Sequence, residues 1–148
     1  MVTMKSNPMN NIDILLDGDI LVYKVASAVE EPIHWGNDWW SVYGDAREGR
    51  QRIDFEIKML FKLLTSECKF IPPFKVNLTI ALSSPTNWRR NVLPTYKSNR
   101  SKRQKPLLWN PLRDYLIATK GAVVWDHLEA DDVIGILAKR NSIVVSED

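Results

Sequence analysis

Glu129, Asp131 and Asp132 put three carboxylates within four residues, directly ahead of the apolar positions Val133, Ile134, Ile136 and Leu137. Like charges so close repel unless something positive sits between them. Glu129 and Asp132, three apart, share one helical face, and Asp131 points about a quarter-turn away. Two chemistries fit this pattern. Acids in the first turn of a packed helix complement its dipole and cap free N–H groups. Alternatively, hard divalent ions such as magnesium or manganese take carboxylate oxygens. Asp17, in Asp17-Gly18-Asp19, adds a carboxylate just after the apolar run Ile12 to Leu16, which reads as a strand entering a tight turn. The carboxyl end of a strand is where open α/β sheets place their ligands, although an Asp-Gly turn alone is common. Asp148 follows Ser142-Ile143-Val144-Val145-Ser146 in the same manner.

The elements that would position these acids alternate along the chain. Ile20 to Val29 suits a buried helix, and Arg50 to Cys68 an amphipathic one, with Ile53, Ile57, Leu60, Phe61 and Leu64 at spacings of three and four. Pro72-Pro73 ends it, and Val76 to Ser83 reads as a second strand. Leu107 to Lys120 is helical in pattern, with Pro111 tolerable only near the first turn and Gly121 just beyond the end. Ala122 to Trp125 is a third strand, Glu129 to Arg140 the acid-headed helix, and Ser142 to Ser146 a fourth strand. Strands separated by helices predict an α/β class with a mainly parallel sheet flanked by helices, so that Asp17, the Glu129 helix start and Asp148 converge on one edge. Glu30 to Gly49 reads as a loop in which Trp35, Trp39 and Trp40 either stack bases or pack on the core. Residues 1–11 read as a polar leader with no apolar signal-peptide core.

At 148 residues and 45% hydrophobic, the chain suits one globular domain. The single Cys68 excludes an internal disulfide, and His34 and His127 offer no zinc-ligand spacing, which fits a reducing cytoplasm. No apolar run nears the roughly 18 residues that a membrane span needs. The net charge of +2 conceals a segregation. From Cys68 through Arg113 there is no Asp or Glu, yet there are ten basic residues, leaving 10 Lys/Arg against all 18 Asp/Glu elsewhere. Within that segment, residues 87–106 interleave Trp88 and Tyr96 with Arg and Lys, which suits phosphate contact plus stacking on a base; a merely solvated basic loop is the bland reading.

Several stretches together resemble one known family: Leu16-Asp17-Gly18-Asp19-Ile20-Leu21-Val22-Tyr23, Asn87-Trp88-Arg89, Tyr96-Lys97-Ser98-Asn99-Arg100 with Lys105-Pro106, and Leu128-Glu129-Ala130-Asp131-Asp132-Val133. They are similar to the 5′-nuclease superfamily of flap endonucleases and 5′ to 3′ exonucleases, most closely to exonucleases of short-tailed bacteriophages. Val144-Val145-Ser146-Glu147-Asp148 resembles the strand that delivers further acids. The resemblance implies a PIN-like α/β domain over residues 12–148, with an arch-like basic segment at about 84–106. It implies two Mg²⁺ or Mn²⁺ ions on Asp17, Glu129, Asp131, Asp132 and Asp148, which would hold the scissile phosphate, lower the pKa of a water and steady the leaving oxygen. Lys97 and Arg100 would contact the scissile phosphate as preorganised charge, Tyr96 the terminal base, and Arg89, Lys102, Arg103 and Lys105 the DNA backbone.

The function so implied is hydrolysis of DNA from 5′ ends to 5′-nucleotides, with an RNA–DNA hybrid as a further substrate class, in the cytoplasm of a host cell. Two departures stand out. Ser84, with Ser83 beside it, occupies a position where the family usually carries an Asp, which predicts weaker metal binding and, at the extreme, an inactive protein. The family also continues well past this length with more acids and a helix-rich region, so the chain reads as an N-terminal half: a truncated gene product, one piece of a split protein whose C-terminal half is encoded separately, or a fragment of a longer chain. The alternatives are a non-catalytic remnant that binds DNA or a partner polypeptide, and a small metal-dependent ribonuclease.

Overall fold

The computed structural model describes residues 10–67, 74–98 and 104–147. The sequence readings that fall on residues 1–9, Cys68, Pro72-Pro73, Arg100, Lys102, Arg103 and Asp148 lie outside the described residues.

Strand β1 (Asn10–Asp17) carries Ile14, Leu15 and Leu16, all buried, a continuous apolar run that only a strand covered on both faces can bury. Helix α1 (Gly18–Val29) follows without a break and buries Leu21, Val22, Val25 and Ala26. Next come β2 (Glu31–Gly36) and β3 (Trp39–Tyr43), then α2 (Ala46–Glu67), β4 (Phe74–Leu82), the five-residue α3 (Trp88–Val92), α4 (Trp109–Lys120), β5 (Val123–Val124), α5 (Ala130–Leu137) and β6 (Ser142–Val145). Pro111 falls in the first turn of α4, and Gly121 ends that helix in the left-handed conformation, with φ 64°. The acid-headed helix stops at Leu137, three residues before Arg140, because Lys139 to Asn141 are needed for the turn into β6.

The main sheet has four strands in the order β5-β4-β1-β6, and each described pairing is parallel. The expected α/β class with a parallel sheet flanked by helices is therefore present. From β1 the chain moves outward through β4 to β5 and then returns to the far side of β1 for β6. The strand order thus reverses beside β1, which opens a crevice at the carboxyl ends of the strands. Side chains alternate across the sheet. Leu16, Ile80 and Leu82 face α1, α2 and α4, packing with Val22, Ile53, Leu112 and Leu116. Leu15 and Ala81 face the other way, onto Ala130, Val133 and Ile134 of α5.

One reading is corrected. Residues 30–49 are not a loop: β2 and β3 form a separate antiparallel hairpin, with Asn37 and Asp38 both at positive φ (49° and 60°) in its tight turn, and α2 has begun by Ala46. Positive φ at both central residues is what a twisted two-residue hairpin connection needs, and Asn and Asp tolerate it. Nor do Trp35, Trp39 and Trp40 pack on the core, being 70%, 74% and 63% exposed.

The tightest joint lies where β1 passes into α1. A Cβ on Gly18 would come within 2.7 Å of the Ile80 and Leu82 side chains and 2.9 Å of the Ala81 carbonyl oxygen. The obstacle includes backbone, so the neighbours have little room to yield. Gly18→Ala should lower stability by about 1 to 3 kcal/mol despite alanine's better helix propensity, read as a lower urea midpoint with an unchanged m-value; an equal or higher midpoint would show that the joint is looser than described.

Candidate active site

The crevice is built from four segment ends. Asp17, the last residue of β1, is buried (5% exposed) and caps α1, its Oδ1 accepting from the N–H groups of Asp19 at 2.9 Å and Ile20 at 3.2 Å. Burial pushes its carboxyl above the ordinary aspartate value; the Ile20 N–H works against this, and the negative charges of Asp19 and Asp131 add to it. Asp131, at the head of α5, is thus brought close to the end of β1. The predicted convergence of Asp17 with the Glu129 helix start is what the parallel sheet produces.

Asp19 faces the end of β4. Its Oδ2 accepts the Ser83 N–H at 2.9 Å, and its Oδ1 is paired with Arg113 of α4, which also donates to the Ser83 carbonyl at 2.7 Å. Ser83 Oγ accepts the Ala130 N–H at 3.0 Å, satisfying a donor at the start of α5 that would otherwise lack a partner. Ser83 therefore ties three elements together. Ser84 does not point its hydroxyl at the acids: Ser84 Oγ lies 3.1 Å from Thr86 Oγ1, and its N–H donates to the Leu128 carbonyl.

The remaining acids are met by the basic segment. Asn87 caps α3 by accepting the Arg89 N–H, and its amide donates to Glu129 Oε1 at 2.7 Å. Arg89 then makes a two-pronged contact with Asp132, both bonds at 2.6 Å, the geometry that a planar guanidinium favours. That pairing holds the Asp132 carboxyl below the usual carboxylate range and the Arg89 guanidinium above its own. Lys97 Nζ donates to both oxygens of Glu129 at 2.9 and 3.1 Å, and the Tyr96 hydroxyl donates to Glu129 Oε2 at 3.2 Å. Partial burial is the largest single influence on the Lys97 ammonium and disfavours it, but the hydrogen bonds and charges of Glu129 and Tyr96 together outweigh it and raise its pKa above that of a free lysine. Lys97 holds a left-handed backbone, φ 53°, uncommon for a residue with a side chain.

Two chemistries are open for the acids of α5. The capping one is realised, since the Glu129 N–H donates to Asp132 Oδ2 at 3.0 Å. For a cation the fit is partial. Among the described residues no three Asp, Glu, His or Cys side chains stand close enough to hold an ion. Glu129, Asp132 and Asp19 are held by Lys97, Arg89 and Arg113. Asp17, whose Oδ1 accepts two N–H groups, and Asp131 bring like charges together at the strand end. Such a pair suits an ion like magnesium, which keeps much of its water and takes one or two carboxylates alongside substrate phosphate. Asp148 and Arg100, assigned to this edge by resemblance, lie outside the described residues, as do Lys102 and Arg103. The Lys105 Nζ lies 4.6 Å from the centre of the Trp109 ring.

The described geometry adds Asp19, Ser83, Asn87 and Arg113 to the residues singled out from sequence. The Asn87-Trp88-Arg89 string carried a signal for the first bond, an Asn cap ahead of a short helix. Arg113 carried none, because its reach to Asp19 and Ser83 depends on how α4 lies against the sheet.

Along 145 residues, 91% of its length, the chain is 27% identical to a protein of Escherichia phage T7 called exonuclease, of which it covers 46%. It is 26% identical over the same length to an exodeoxyribonuclease of Enterobacteria phage T3, again covering 46%. The chain thus spans about half the length of the curated relatives it matches. No family model matches it, and no solved structure matches it significantly.

Asp17 and Asp132 give opposite pH signatures. A folded-state pKa raised by burial means that ionised Asp17 opposes folding, so Asp17→Asn should raise the urea midpoint at pH 7, and the gain should vanish below the unfolded aspartate value of about 3.9. For Asp132 the folded value is depressed, so its pairing stabilises above about pH 3.9 and is lost as pH falls through the lower folded value. Asp132→Asn should therefore lower the midpoint at pH 7 and converge on the parent in strong acid. Two variants shifting in the same direction at pH 7 would contradict this arrangement.

Proposed function

We propose that the chain forms the N-terminal, acid-bearing part of a divalent-metal-dependent 5′ to 3′ exonuclease that hydrolyses DNA phosphodiesters to 5′-nucleotides. The observation that carries this is the closure of Arg89 and Lys97, from the acid-free basic segment, onto Asp132 and Glu129 at the edge that also holds Asp17 and Asp131. The exonuclease names of the two phage relatives support it. The whole reaction is assigned to a protein that also supplies the remainder of the relatives' length, in the same chain or in a second polypeptide.

In this reading Asp17 and Asp131 hold magnesium or manganese, with Asp148 and, once Lys97 and Arg89 turn away, Glu129 and Asp132 completing a two-ion set. When bound, such ions supply Lewis acidity that activates water and steadies the leaving oxygen. The chain's own cations do the rest. Lys97 and Arg89 exchange a carboxylate for a phosphate oxygen, and a guanidinium fork serves either partner. Arg100 joins them on the scissile phosphate, and Lys102, Arg103 and Lys105 line the backbone path. The Tyr96 ring, with the Lys97 ammonium 5.2 Å from its centre, offers a face to the terminal base. Arg113 and Ser83 position the acids without touching substrate.

A second reading, a remnant that binds nucleic acid without cutting it, draws on Ser84, whose hydroxyl is turned to Thr86 rather than to the acids. Digestion of a 5′-end-labelled duplex separates the two. The nuclease should release nucleotides with magnesium or manganese and stop on chelation. Asp131→Ala and Lys97→Ala should each slow release on the order of a hundredfold. Equal rates in either variant and the parent would sink the assignment. Salt-sensitive binding with no release under either metal would select the remnant.

A further inference from the structure

An isolated two-stranded hairpin is marginal in water, yet β2–β3 projects three large aromatic side chains into solvent, an exposure that marks interaction sites. Its two faces differ. Paired residues share a face, so Pro32, His34, Trp40 and Val42 lie together, while Glu31, Ile33, Ser41 and Tyr43 lie on the other. The first face carries no carboxylate, and its His34 and Trp40 rings are stacked at 4.4 Å. Val42 continues it into a groove of about 350 Å³, shared with Tyr23, Lys105 and Leu107. Lys105 also lines a second groove of about 340 Å³ that reaches Asp19, Ser83 and Ser84. Between the two, Trp109 lies under Lys105 and Arg113, at 4.6 and 5.5 Å, and meets the Tyr23 ring edge-on at 6.5 Å.

We infer that the Trp40 face of the hairpin is a stacking platform for unpaired nucleotides of the substrate strand, joined to the candidate active site through Tyr23, Trp109 and Lys105. This rests on the nuclease reading above. Rings spaced along a path with cations beside them are what a single strand needs, since its bases offer free faces and its phosphates need counter-charge. A duplex keeps its bases stacked on one another and gains little from the rings. Of the acids near this path, Glu31 is on the opposite face, Glu30 lines the first groove and accepts the Leu107 N–H, and Asp19 and Asp114 line the second, where Asp19 is paired with Arg113.

The test uses the full chain without metal, so that nothing is cut, and a labelled oligothymidylate of about ten nucleotides beside a duplex of equal length. Trp40→Ala should weaken single-strand binding about tenfold and leave duplex binding and the urea midpoint unchanged, whereas Trp39→Ala, on the other face, should do neither. Lys105→Ala should flatten the salt dependence of single-strand binding by about 0.7 in log–log slope. Unchanged single-strand affinity in Trp40→Ala overturns the platform and leaves the hairpin to a polypeptide partner. A parent chain that binds neither probe overturns the platform and leaves the nuclease reading to the digestion assay. If instead Lys97→Ala digests DNA like the parent while Trp40→Ala loses the single strand, the catalytic assignment fails and the platform stands.

Discussion

Carboxylates carried to strand ends and helix starts on one edge of a sheet must each be answered by a donor or a cation, and the segments around the crevice are placed by how that is done. Asp17 is answered by two backbone N–H groups and by a raised pKa. Asp19 draws Arg113 across from α4, Asp132 draws Arg89, and Glu129 gathers Lys97, Asn87 and Tyr96. The last two sets come from a stretch whose own helix has only five residues and no buried side chain. Hydrophobic packing does not hold α3 and the turn after it; charge does. Ion pairs of half-buried groups are exchangeable in a way that a packed core is not.

Much of this was legible in the sequence for one physical reason: buried elements leave a periodic apolar signature. β1, α1, α2, β4, α4 and β6 all lie close to where the periodicity put them, because each buries a face in one of two cores. The hairpin was not legible, because with both faces exposed its apolar residues report no core, and Pro32 and the glycines read as loop. Its one usable signal was Asn37-Asp38, a pair suited to positive φ. Among the site residues, Asp17, Glu129, Asp131 and Asp132 were found by type and position, and Asp19 was not. Their partners split by range: Asn87 and Arg89 lie in a short string with a local rule, whereas Arg113 and Ser83 matter only through the order of strands, which the sequence does not write locally.

Ser83 and Ser84 illustrate how neighbouring residues of one type divide. Ser83 Oγ replaces a cap for Ala130 at the joint between sheet and α5, a task for which a hydroxyl suffices. Ser84 forms a local turn with Thr86. The charge that a carboxylate at Ser84 would add is absent from an edge where Asp17 and Asp131 already oppose each other, so this edge holds less negative potential to attract a cation and less to repel a phosphate.

The parallel pairing of β6 with β1 has a consequence for how the molecule comes together. Asp13 pairs with Ser142 and Leu16 with Val145, so the first described strand is completed only by the last. Arg89 likewise waits for Asp132, and Lys97 for Glu129. Contacts between residues so far apart in sequence form late, after the loop entropy between them has been overcome. On the ribosome, β1, α1, α2 and β4 can assemble while the basic segment emerges uncommitted, and the crevice closes only when α5 and β6 arrive. The interlocked acids and cations of the crevice are therefore the part assembled last.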